Sequence, residues 1–173
     1  MKQHVMGIVG RSGSGKTTLL SDLIPILIEL GHTVSTIKHT HHGFDVDKPG
    51  KDSYRHRAAG AQEVLLTSAK RWALLHEVQD EKEPDMQDLI ARMSPVDVML
   101  IEGFKKHDFP KIEVYRPSLG MAALGRTHQS VIAVATDEVE NANVLDLKLQ
   151  ILDLGDVKSI AKFIVQYLQT NRR

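Results

Sequence analysis

The segment Gly10-Arg11-Ser12-Gly13-Ser14-Gly15-Lys16-Thr17 constrains this chain more than any other, because of what stands on either side of it. An apolar run, Val5 to Val9, precedes it, and a segment of helical period, Lys16 to Leu30, follows. The segment matches G-x-x-x-x-G-K-[ST] at every fixed position. Glycines at these places let backbone N–H groups converge on phosphate oxygens, and the helix behind directs its positive end at the same anion. In this pattern Lys16 reaches the β and γ phosphates and Thr17 presents its hydroxyl to Mg²⁺. Gly10, Arg11, Ser12, Gly13, Ser14, Gly15 and Thr18 complete the nucleotide-binding stretch. The chemistry implied is that of a nucleoside triphosphate site, with Lys16 as a catalytic cation.

Downstream, apolar runs continue to alternate with helical segments. In the first helix Leu19, Leu20, Leu23, Ile24, Leu27 and Ile28 recur on one face, and Gly31 stands at the position that ends such a helix. Pro25 removes one helical hydrogen bond and is expected to bend the axis. The next run, Thr33 to Ile37, completes a strand–helix–strand unit. Further strands are expected at Val64 to Thr67, Trp72 to Leu75, Val96 to Ile101, Ile112 to Tyr115 and Val131 to Ala135, most of them without alternation, as in buried sheet. Helices are expected at Ser53 to Ala59, Met86 to Met93 and Val157 to Leu168. The fold class is α/β, P-loop NTPase-like, with a mainly parallel sheet flanked by helices. The whole chain, 1–173, is expected to form a single nucleotide-binding domain.

Composition narrows the partners. Lys plus Arg equals Asp plus Glu at 22 each, so the formal charge is zero and no basic footprint points to nucleic acid or an anionic membrane. An anionic ligand must then be held by local geometry. Cysteine is absent, which removes disulfides, thiolate zinc sites and cysteine nucleophiles. The apolar stretch after Lys2 is too short for a signal peptide, and a soluble, cytoplasmic protein is expected.

A phosphate-binding loop needs a second acid to orient its metal, at the carboxyl end of a neighbouring strand. The run Val96 to Ile101 offers two. Asp97 stands at its beginning, the wrong end for phosphates, and Glu102 at its end, followed by Gly103. Glu102 is the better metal candidate. The loop KHTHHGFDVDKPGKDS, residues 38–53, follows the second strand and should lie over the same edge. There Asp45, Asp47 and Asp52 can offer oxygens to a hard cation, and Lys48 and Lys51 charge to phosphate. Asp52 is a candidate for both metal binding and catalysis. His39, His41 and His42 admit a transition-metal reading, against which stand loop packing and substrate contact.

These segments together resemble the molybdopterin-guanine dinucleotide biosynthesis protein B family, MobB. The resemblance rests on GRSGSGKTTLL, IKHTHHGFDVDKPGKDSYRHRAAGA, RWALLHE, LIEGFK and VIAVATD, spread from about residue 7 to 137. It implies GTP binding with Mg²⁺, slow hydrolysis at most, and a homodimer. It also implies a role assisting the guanylyltransferase that attaches GMP to molybdopterin. The IEG segment is similar to the carboxylate site of dethiobiotin synthetase, which favours Glu102. Ala135-Thr136-Asp137 resembles a reduced form of the guanine-reading [NT]KxD element and makes Asp137 a base contact, although no lysine precedes the acid and a turn-capping role fits it equally.

Two other classes use the same loop. A small-molecule kinase would converge arginines on the transferred phosphoryl group, with Arg11, Arg55 and Arg57 as candidates. A metal-delivery GTPase would carry its cargo on the histidine loop. A third form, a nucleotide-gated adaptor, needs the same phosphate and Mg²⁺ ligands as a true GTPase.

Overall fold

A computed structural model describes residues 4–40, 43–79 and 82–171. The described elements run β1 (Val5–Gly10), α1 (Lys16–Glu29), β2 (Val34–Lys38), α2 (Asp52–Ala58), β3 (Glu63–Thr67) and β4 (Trp72–His76). They continue with α3 (Met86–Ala91), β5 (Val98–Glu102), β6 (Lys111–Val114), β7 (Val131–Thr136), α4 (Ala142–Leu145), β8 (Gln150–Asp153) and α5 (Val157–Thr170). Two compact units result, Met1–His39 with Ser94–Arg173, and Thr40–Met93.

The larger unit is built on a six-stranded sheet in the order β2-β5-β1-β6-β7-β8, every pair parallel. Its strands are apolar on both faces because both are covered. One face, with Met6, Ile8, Leu100, Ile112, Val114, Ala133 and Ala135, shares a core with Leu19, Leu20, Leu23 and Leu27 of α1 and Ile160, Ala161, Ile164 and Leu168 of α5. The α1 helix continues through Pro25 as one element. On the other face, Val9, Tyr115, Val131 and Val134 meet Ala123, Leu124 and Val144.

That second face is covered largely by loops, and its strand carries two fully buried charges. The Lys111 ammonium donates to the carbonyls of His107 and Phe109 and, at 2.8 Å, to Ser130 Oγ. The Glu113 carboxylate accepts from the N–H groups of Leu124 at 2.7 Å and Gly125 at 2.8 Å. Burial pushes the Lys111 pKa down and the Glu113 pKa up. Each charge replaces, for a loop backbone, the partners a helix would have found internally.

The smaller unit holds α2, α3 and a separate two-stranded sheet. β3 and β4 pair antiparallel, Glu63 opposite His76 and Thr67 opposite Trp72. Leu65, Leu66, Trp72 and Leu74 are exposed. This corrects the expectation of buried strands. Residues 68–71 are too few for a parallel crossover, so the two runs can only form a hairpin. Strand β8 and helix α4 were not expected from the sequence, and the other boundaries move by one or two residues.

Asp97 has a structural task at the amino end of β5. Its carboxylate accepts from Thr33 N at 2.8 Å and Thr33 Oγ1 at 2.7 Å, and its own N–H donates to Thr33 Oγ1 at 2.9 Å. This reciprocal clasp joins the beginnings of β2 and β5. Asp97→Ala is expected to lower stability by about 1–2 kcal/mol, measured by urea unfolding, and to leave ligand affinity at the opposite end of the strand unchanged.

Candidate functional site

Parallel pairing decides which residues meet at the carboxyl edge. β1 lies between β5 and β6, with Ile8 beside Glu102 and Gly10 beside Val114. The glycine-rich turn therefore opens next to the end of β5. Gly10 has φ 152°, and a Cβ there would stand 2.5 Å from the Val114 carbonyl and 2.6 Å from Ser14 Oγ. No other residue fits. Gly15, at φ 99° and ψ 17°, is the left-handed residue from which α1 begins. The first N–H groups of α1 have no acceptor within the helix. Within the turn, Ser14 Oγ and Arg11 Nε are buried and find no hydrogen-bond partner among the described residues. A concave, donor-rich backbone with unsatisfied polar atoms is the chemistry of an anion site.

Side chains complete it. Lys16 Nζ folds back onto the Arg11 carbonyl at 2.9 Å. Burial lowers its pKa most, Glu102 opposes that, and Lys105 and Lys38 add to the lowering. Thr17 Oγ1 donates to Glu102 Oε1 at 3.3 Å, and Lys38 Nζ lies 3.6 Å from Glu102 Oε2. A hydroxyl and a carboxylate in contact are the oxygen donors that a hard cation such as Mg²⁺ takes, so the residues present fit that ion. Beyond Glu102 the chain turns through Gly103 (φ 97°) and Phe104 (φ 50°), a left-handed backbone that a phenylalanine rarely adopts. The His39 ring lies 4.2 Å from that of Phe104, centroid to centroid.

Thr18 is exposed on the first turn of α1, beside Thr17. Asp137, just past β7, is ion-paired with Arg116, a residue that the sequence reading did not single out. Arg116 Nε also donates to the Ser14 carbonyl at 3.0 Å. Its only sequence signal is its place at the end of an apolar strand, directly before Pro117.

Asp52 belongs to the smaller unit, at the start of α2, exposed and 4.0 Å from Arg55. There the acids of the loop are gathered by Arg57. It donates to both oxygens of Asp45 at 2.9 Å and to Glu77 at 2.7 Å, and lies 3.4 Å from Asp47. These partners push the Arg57 pKa up, and the Asp47 N–H followed by Arg57 hold the Asp45 carboxyl low. Asp47 also accepts from Lys48 N and Ser53 Oγ, both at 2.9 Å. The segment thus carries its own framework. His41 and His42 lie outside the described residues, and among those described no group of three His, Asp or Glu side chains is placed to hold a metal.

The same chain matches known proteins over most of its length. The family model for molybdopterin guanine dinucleotide synthesis protein B, MobB, covers residues 5–137. The molybdopterin-guanine dinucleotide biosynthesis adapter protein of Escherichia coli (strain K12) is 46% identical over 161 residues, 91% of this chain and 89% of that protein. Its counterpart in Haemophilus influenzae is 40% identical over 167 residues, 95% of this chain and 89% of that protein. A crystal structure of molybdopterin-guanine biosynthesis protein B superposes with a TM-score of 0.73 at 28% identity, covering 95% of this chain and 99% of the other. With the glycine turn and the LIEGFK strand end both inside the matched span, the chain belongs to the MobB family.

Proposed function

We propose that the chain is an adapter in molybdopterin-guanine dinucleotide biosynthesis that binds GTP with Mg²⁺ at the edge formed by Gly10 to Thr18 and Glu102. The observation that carries this reading is the contact of Thr17 Oγ1 with Glu102 Oε1, beside a lysine whose ammonium donates to the Arg11 carbonyl. A triphosphate offers Lys16 a far better acceptor than the Arg11 carbonyl. Thr17 and Glu102 would hold Mg²⁺, which would supply positive charge against the phosphates. Lys38 and Lys105 add positive field at Lys16, and Lys38 lies 3.6 Å from Glu102.

The names of the relatives support the pathway, and the family resemblance supports guanine, a homodimer and a guanylyltransferase as the protein partner. The exposed Leu65, Leu74 and Trp72, which the pairing register puts on one face of the hairpin, are the kind of apolar face that self-association buries. Among the described residues no helix is long and apolar enough to cross a membrane, which agrees with a place in the cytoplasm. The adaptor reading is preferred to a kinase because Arg57 is occupied by Asp45, Asp47 and Glu77, and Arg55 lies against Asp52.

Calorimetric titration with GTP, ATP and GDP, with and without Mg²⁺, tests the reading. GTP is expected to bind most tightly and to need the metal. Lys16→Ala is expected to weaken triphosphate binding at least about a hundredfold, the loss of a charge-assisted contact, with an unchanged melting temperature. In Glu102→Gln, binding persists while the Mg²⁺ concentration at half-effect rises about tenfold. Overlapping Mg²⁺ titrations of Glu102→Gln and wild type would remove Glu102 from the metal site.

A further inference from the structure

Arg116 occupies ground that phosphate binding alone leaves unexplained. Val114 is beside Gly10 on one side and Ala135 on the other, and Tyr115 N donates to the Ala135 carbonyl. Residues just past β6 therefore fall between the turn after β1 and the turn after β7. Arg116 is extended, φ −120° and ψ 109°, as a residue before proline must be. From there its guanidinium contacts both neighbours, the Ser14 carbonyl through Nε and Asp137 through Nη1. Its Nη2 lies 3.6 Å from where a Cβ on Gly15 would stand.

The bond to Ser14 has a directional consequence. In a trans peptide the carbonyl and the N–H lie in one plane and point in opposite directions across the C–N bond. Holding the Ser14 carbonyl toward Arg116 therefore turns the Gly15 N–H, in the same peptide, away from Arg116. A planar fork can hold the carbonyl on one edge and a carboxylate on the other, which an ammonium does not do. Asp137 is then the fixed end of this brace. With Oδ2 engaged by Arg116, its carboxylate has at most one oxygen left for the N1–H and exocyclic amine of guanine, a pair that a base-reading carboxylate meets with both.

We propose that Arg116 is a positioning residue that presets the Gly15 N–H for phosphate, and that Asp137 anchors Arg116 instead of reading the base. This inference rests on the nucleotide-binding reading above. It also gives the base-side acid a different chemistry from the one its resemblance to [NT]KxD suggests.

The test is titration of the full chain with GTP, XTP and ATP in Mg²⁺, together with nucleotide-free melting. The variants are Arg116→Ala, Arg116→Lys, Asp137→Ala, Asp137→Asn and the Arg116→Ala/Asp137→Ala double. The two alanine variants are each expected to weaken all three triphosphates about tenfold, and the double no more than Arg116→Ala, as for residues acting through one contact. Arg116→Lys keeps the charge and does not restore affinity. Asp137→Asn leaves the XTP to GTP ratio at its wild-type value. Nucleotide-free midpoints stay within about 2 °C of wild type, less than a loss of 1 kcal/mol would cause.

A switch of Asp137→Asn toward XTP overturns the proposal, because an amide at a base-reading position favours the xanthine edge. So do additive losses in the double variant, wild-type affinity in Arg116→Ala, or a fall in nucleotide-free melting that accounts for the lost binding. Failure of the wild-type chain to bind any triphosphate overturns the nucleotide reading itself.

Discussion

The site depends on β1 being paired in parallel on both sides. With Ile8 level with Glu102 and Gly10 level with Val114, the chain leaves β1 between the end of β5 and the end of β6. Two contacts follow from that register alone, Thr17 with Glu102 on one side and Ser14 with Arg116 on the other. A shift of one residue would send every side chain of β1 to the opposite face. Met6 and Ile8 would leave the helix-covered core, and Gly7 would enter it. The glycine at 7 fixes this choice, since a Cβ there would stand 2.5 Å from the Phe109 ring and 2.8 Å from Lys111 Cγ.

Electrostatics at this edge runs against the neutrality of the chain. With 22 charges of each sign, no long-range field concentrates anions. Lys16 is nevertheless partly buried beside Glu102, with Lys105 and Lys38 near enough to act on it. Its burial and then the two neighbouring lysines lower its proton affinity, against the pull of Glu102. A multivalent anion would add negative charge where cations outnumber the carboxylate that acts on Lys16. Under the proposed reading, attraction for phosphates comes from a local imbalance held by backbone geometry, and nearby charges in a partly buried place are little screened by salt.

What was legible in the sequence was whatever periodicity or fixed spacing encodes. The glycine turn, the amphipathic α1 and the apolar β5 ending in Glu102 all belong to that class. So does the placement of Glu102 at the carboxyl end of β5 and of Asp97 before its amino end, because strand direction alone separates the two. The structure gives Asp97 a different occupation in the clasp with Thr33. Arg116 was not legible, because its partners Ser14 and Asp137 are distant in sequence and only the strand order brings them together. The hairpin was half legible. Its strands were found, but apolar residues were read as buried when Trp72 is 69% exposed and Leu65 61%. Apolar character reports what a strand can bury against something, and in this unit the described residues leave that face open.

The buried pair on β6 shows why the same strand both carries charge and positions the site. β5 and β6 are joined by residues 103–110 without a helix, shorter than the usual parallel crossover. A loop lying on a sheet brings carbonyls and N–H groups that need partners, and water is excluded there. Lys111 and Glu113 meet that need from one face of β6, while Ile112 and Val114 fill the apolar core from the other. Burying either charge costs free energy that hydrogen bonding must offset, so each loop backbone is tied to the strand by the bonds that its buried charge makes. One of them, residues 117–130, begins at Pro117, directly after Arg116. Arg116, which contacts the glycine turn, thus leads directly into a loop whose backbone is held by a buried carboxylate, and the two are linked through the packing of one sheet face.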